Sequence, residues 1–155
     1  MSVREFLDRP RELAAELRDM ERRSAGMRYA CTSVTAGWSG VRGGRGDARE
    51  CLMADLADLE REKEALCREL REAEGEVDRF LVRLRAQYGL RSYAILRWRC
   101  RLRRTWEEVR QGLEEIYGVD VSLRAAQNWY REAVKQAEEL WKMVGQGQGP
   151  APTKK

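Results

Sequence analysis

Residues 105–134, TWEEVRQGLEEIYGVDVSLRAAQNWYREAV, are the stretch whose reading decides the fold. Thr105 followed three positions later by Glu108 is a capping box: the hydroxyl accepts from an early helix amide while the carboxylate accepts from the cap's own amide. Trp106, Val109, Leu113 and Ile116 then supply an apolar face at helical spacing. Gly118 is placed to end this helix, and Ser122 is placed to cap another, running from 123 to about 144. Its inward stripe is Ala126, Trp129 or Tyr130, Ala133, Val134, Ala137, Leu140 and Trp141. Two capped amphipathic helices around a short turn predict a helix-turn-helix, whose second helix enters a major groove with its N-terminal outward residues. Arg124, Gln127, Asn128 and Arg131 are therefore the candidates for DNA base reading, since arginine bonds guanine bidentately and glutamine or asparagine does the same to adenine. The bland alternative is that these four are ordinary surface residues.

Immediately upstream, residues 91–104 hold Arg91, Arg97, Arg99, Arg101, Arg103 and Arg104 with no acidic residue among them. Ser92 is expected to cap a helix reaching 101 or 102, which places positions 97, 101 and 104 on one face. Such a group holds phosphates and sets register without reading sequence, so Arg97, Arg99, Arg101, Arg103 and Arg104 are the phosphate-contacting candidates. The competing role is neutralisation of the protein's own acidic helix. Trp98, Trp106, Trp129 and Trp141 fall on the apolar faces and are expected in the core.

Farther upstream, a first helix is expected over residues 1–23, opened by a Ser2–Glu5 capping box and troubled by Pro10. Residues 24–46 carry six glycines and read as a loop in which Arg42 and Arg45 could touch nucleic acid. Residues 47–88 read as one long helix. Its seam is Leu52, Leu56, Leu59, Lys63, Leu66, Leu70, Ala73, Val77, Phe80 and Leu84, at spacings that alternate four and three. That is a heptad register, and it calls for a helical partner: either the first helix folded back as a hairpin or a second subunit in a homo-oligomer. The Gly- and Pro-containing tail, 145–155, reads as disordered. The expected fold is thus all-α, an N-terminal helical hairpin or coiled-coil segment followed by a three-helix helix-turn-helix domain over 91–144.

Composition narrows the chemistry. The 155 residues include no histidine, which removes imidazole metal ligands and the commonest acid/base and triad chemistry. Cys31, Cys51, Cys67 and Cys100 form no CxxC pair, so single thiols in a reducing compartment are favoured over a zinc site. Residues 1–90 hold 17 basic and 18 acidic side chains whereas residues 91–155 hold 13 and 8, which makes the C-terminal part the one suited to a polyanion. No signal peptide or membrane span is read, and a cytoplasmic location is expected. No cofactor, no metal and no enzymatic activity are expected.

The segments YAILRWRCRLRRTWEEVRQGL and SLRAAQNWYREAV resemble the C-terminal helix-turn-helix of phage-encoded transcriptional regulators of the ArpU and RinA type, and more distantly region 4 of sigma-70 factors. In that pattern an Arg-Tyr pair, a glycine and a Ser-Trp-Glu-Glu start precede a serine-capped recognition helix. Here Arg99 and Cys100 stand at the Arg-Tyr place, Arg103 at the glycine place, Thr105 to Val109 at the helix start, Ser122 at the cap, and Ala133-Val134 at the closing pair. Cys31-Thr32-Ser33-Val34-Thr35 and the glycines after it fit the family's N-terminal half, so the resemblance covers nearly the whole chain. Cysteine for tyrosine, arginine for glycine and a longer IYGVDVS connection are departures that alter the approach to the turn. The resemblance implies control of phage or prophage gene expression in a bacterial host cell, with double-stranded DNA as partner and RNA polymerase as a further one. The alternative function is a structural or adaptor protein of phage packaging or assembly, self-associating through the long helix.

Overall fold

The structure, a computed structural model, describes residues 1–36 and 45–147. Among the described residues the fold is all-α: α1 (Val3–Ala36), α2 (Arg45–Tyr88), α3 (Leu90–Leu96), which runs into a π-helical turn (Arg97–Arg101), α4 (Trp106–Tyr117) and α5 (Leu123–Gly147). None of these helices is long and apolar enough to cross a membrane.

The capping box opens α1, with the Ser2 amide donating to Glu5 at 2.6 Å and the Glu5 amide to the Ser2 hydroxyl at 3.2 Å. The helix continues through Pro10, whose missing amide and ring crowding would ordinarily break it, and the ring is fully buried. It also continues past the expected end at 23, so residues 24–36 are helical where a loop was expected. Tertiary bonds account for this. Ser24 is wholly buried and its hydroxyl donates to Glu60 on α2, as does Arg28 one turn later. These bonds offset the weak helix propensity of Gly26. Arg42, expected to touch nucleic acid, lies outside the described residues, and Arg45 is the first residue of α2. α5 likewise runs to Gly147 rather than 144, and the tail expected to be disordered lies otherwise outside the described residues.

The chain divides into two compact units, residues 12–72 and residues 1–11 together with 73 onward. In the first, Leu13 and Ala14 of α1 and Leu59 and Leu66 of α2 are buried, and the Ser24–Glu60 bond joins the two helices. Leu52, Leu56, Lys63 and Leu70, the other seam positions of this unit, are half-buried.

In the second unit, the seam continues through Ala73, Val77, Phe80 and Leu84, all buried. Val3 and Leu7 from the start of α1 join Val77, Phe80, Leu81 and Leu84 with Leu96, Cys100 and the α5 residues Ala133, Val134, Ala137 and Leu140. Phe6, Phe80 and Trp141 close this core as a ring triad at 4.7–5.8 Å. Gly89, at φ 103°, makes the break between α2 and α3 in a single residue and serves as N-cap. Ser92 does not cap. It lies inside α3, buried, and its hydroxyl donates to Gln136 of α5, because the helix starts three residues earlier than expected.

Candidate nucleic-acid interface

Thr105 caps α4, with the Glu108 amide donating to its hydroxyl at 3.2 Å and its own amide donating to Glu108 at 2.9 Å. The Thr105 amide first, and then its hydroxyl, hold the Glu108 carboxyl below the usual carboxylate range. Gly118 closes the helix at φ 69°, its amide donating to the Glu114 carbonyl at 2.8 Å. Ser122 then caps α5, accepting from the Ala125 amide at 3.0 Å. Beneath both helices lies one apolar core of Ile95 from α3, Val109 and Leu113 from α4, Val121 from the turn and Ala126 from α5. All are at most 4% exposed.

The connection 118–122 is held by more than its caps. The Glu114 carboxylate accepts from the Val121 amide at 3.0 Å and from Arg110 at 2.6 Å, and Arg110 extends to the Val121 carbonyl at 3.4 Å and to Glu107. A carboxylate and a guanidinium from α4 thereby satisfy the backbone of the turn, where peptide groups would otherwise depend on water. Gly112, buried on α4, lies against the Trp98 ring: a Cβ there would come within 2.7 Å of the indole edge. This close approach sets how near α4 can pack to the π-helical turn.

The base-reading candidates Arg124, Gln127, Asn128 and Arg131 recur at helical spacing over the first three turns of α5. Arg124, Asn128 and Arg131 are exposed and Gln127 is half-buried. Arg131 donates to the Asn128 side-chain oxygen at 2.6 Å. Beside them, Arg91 of α3 lies over Trp129 at 4.6 Å and pairs with Glu132 at 3.0 Å, so α3 is fastened to the same stretch of α5.

The phosphate-contacting candidates divide. Arg101 donates to Glu74 at 3.1 Å and to Asp78 at 3.0 Å, both on α2, and Arg103 lies 3.7 Å from Glu74. These two guanidiniums neutralise the protein's own helix, the competing role weighed for the cluster. Arg99 instead lies over Trp106 at 4.4 Å and donates to the Arg104 carbonyl at 2.8 Å, while Arg104 lies over Trp98 at 5.9 Å. Arg97, half-buried, meets no carboxylate among the described residues. Nor do positions 97, 101 and 104 share one regular helical face. The backbone widens to a π-helical turn over Arg97–Arg101, with the Leu102 amide donating to the Arg97 carbonyl and the Arg104 amide to that of Trp98, each at 2.8 Å. Arg103 takes φ 57° to allow this closure.

Several contributors escape a reading by pattern. Glu114 and Arg110 look like solvated helix flank, and only the return of the chain at Val121 gives them partners. Gly112 carried a signal, a glycine inside an otherwise good helix, which marks close approach. Cys100 is buried and its thiol is pushed up to about 11, chiefly by desolvation and then by Asp8. Tyr130 beside it is pushed up to about 12, again chiefly by desolvation and then by Cys100. Both are neutral core groups at physiological pH. Among the described residues no three acidic or cysteine side chains converge as they would around a metal ion. No family model matches the chain, and no curated protein or solved structure matches it.

Proposed function

We propose that the chain is a sequence-specific DNA-binding regulator whose α4, turn and α5 act as a helix-turn-helix, with α3 as the third helix of the domain. The observation that carries this reading is the first three turns of α5. They begin at a serine cap behind a braced turn and present Arg124, Asn128 and Arg131 to solvent with Gln127 half-exposed, while Ala126 and Ala133 anchor the opposite face at 0% exposure. A rigid helix with bidentate donors on its outer N-terminal face is what direct readout of a major groove requires.

The basic balance after residue 90 and the arginine-rich approach to α4 support the same reading, since phosphate contacts supply most of the affinity of such proteins. Arg103 adds support for the resemblance to phage regulators of the ArpU and RinA type: it stands at their glycine place, and its φ of 57° is a backbone conformation glycine adopts without strain. On that resemblance the regulated genes are those of a phage or prophage, with RNA polymerase as a further partner.

We also read α1 and α2 of residues 12–72 as an antiparallel hairpin, on the strength of the bonds from Ser24 and Arg28 to Glu60. In that arrangement the seam leucines Leu59 and Leu66 find their cover within the chain. This takes away the main ground for an assembly protein that self-associates through the long helix.

The test is selection of genomic DNA fragments on the purified chain, followed by footprinting. Retention of a discrete set of fragments with a shared protected sequence is expected. Failure to retain any duplex at low salt would end the reading.

A further inference from the structure

Three guanidiniums lie over indole rings within a short span: Arg91 over Trp129, Arg99 over Trp106 and Arg104 over Trp98. Energetically significant cation–π pairs occur about once per 70–80 residues, so this local density calls for a reason. Arg91 has one, because its edge meets Glu132. Arg99 and Arg104 meet no carboxylate at ion-pair distance among the described residues, although Arg104 lies in the field of Glu108, whose oxygens are engaged by Thr105. Their neighbours Arg101 and Arg103 are the ones taken by Glu74 and Asp78.

A guanidinium held against an indole keeps donors at its edge that match phosphate oxygens in a fork geometry: Arg104 is exposed, and Arg99 commits one nitrogen to the Arg104 carbonyl and keeps the rest of its fork. Stacking also removes rotamer freedom before a ligand arrives. The backbone fixes the pair further: Arg99 donates to the Arg104 carbonyl at 2.8 Å, and the Arg104 amide donates to the Trp98 carbonyl at 2.8 Å. The π-helical turn and the left-handed Arg103 bring the Arg99 side chain to the Arg104 backbone although the two stand five positions apart in sequence.

We propose that Arg99 and Arg104 form a preorganised clamp for the phosphodiester backbone of duplex DNA, with Trp106 and Trp98 as its positioning residues and Arg101 excluded from it. This rests on the DNA-binding reading above and names which of the five arginines deliver it. The clamp acts on backbone rather than bases, so it contributes equally to all sequences.

The test uses the full chain and a mixed-sequence duplex, with affinity measured across a salt series and thermal stability measured in parallel. Arg99→Gln and Arg104→Gln should each reduce the slope of log affinity against log salt by about one. Trp106→Leu should weaken binding about five-fold and lower the slope, and Trp106→Phe should restore both, because a phenyl face still supports the guanidinium. Arg101→Gln should lower thermal stability and leave the slope unchanged. A purely structural role for Trp106 would alter melting but not the slope. If the unaltered chain binds no duplex, the DNA-binding reading itself falls. If the unaltered chain binds while Arg99→Gln keeps the full slope or Arg101→Gln reduces it, the clamp assignment is overturned and DNA binding stands.

Discussion

Residues 12–72 and the α3–α5 segment are both built from helices where described, yet they are specified by different physics. The first has a sparse buried set, Leu13, Ala14, Ser24, Leu59 and Leu66, along two long helices. The second packs Ile95, Val109, Leu113, Val121 and Ala126 under short capped helices and ties the connecting turn with Glu114 and Arg110. A heptad stripe fixes which face is inward and leaves much else free. A capped, cross-braced helix pair fixes where each side chain points, and recognition of a defined ligand depends on that.

The largest effect that would break this contrast is a cavity. Leu113→Ala, at a position with no exposure, should destabilise by about 3 kcal/mol, and Leu66→Ala, at 8% exposure on the long stripe, by less. Urea unfolding of the two variants checks the order; equal losses would mean the two regions are packed alike.

A sharper contrast comes from one substitution made in each region. Gly112→Ala should cost about 2 kcal/mol, since its Cβ would press on Trp98, whereas Gly26→Ala, with open space around it in mid-helix, should stabilise by up to about 1 kcal/mol. Melting temperatures should therefore move in opposite directions, and a shared sign would refute the packing described for one of the two sites.

Alkaline pH probes the core of the second unit. Cys100 and Tyr130 lose their protons more readily unfolded than folded, so their contribution is intact below about pH 9 and fades as pH rises through about 11 and 12. For Cys100 this amounts to up to about 3 kcal/mol. Cys100→Ala should flatten the fall of stability between pH 9 and 11, and an unchanged profile would place the thiol in water.

The smallest expected change is Arg103→Gly. It relieves a left-handed backbone worth about 1 kcal/mol and gives up a long, half-exposed ion pair to Glu74 worth less, so a modest gain in melting temperature should follow. A loss would show that the Glu74 contact outweighs the strain.

What was legible from sequence was local. Thr105 with Glu108, Gly118, Ser122 and Ser2 with Glu5 act within a few residues of themselves, so their roles follow from spacing alone. The heptad seam was legible too, since a long helix repeats its instruction many times. What escaped needed a partner from elsewhere in the chain. Residues 24–36 are helical where Ser24 and Arg28 find Glu60, and Ser92 is buried because Gln136 receives it. The even-looking arginine cluster separates into paired and stacked members only when Glu74, Asp78, Trp98 and Trp106 are brought beside it.

The central claim is that the outer face of α5 reads base pairs. It is tested most directly by measuring, for the unaltered chain and for Asn128→Ala, the ratio of affinities for a selected genomic site and for a scrambled duplex of the same length and composition. The account predicts that Asn128→Ala lowers that ratio about ten-fold or more while leaving the affinity for scrambled DNA nearly unchanged. An undiminished ratio for Asn128→Ala, and likewise for Arg124→Ala, would contradict it.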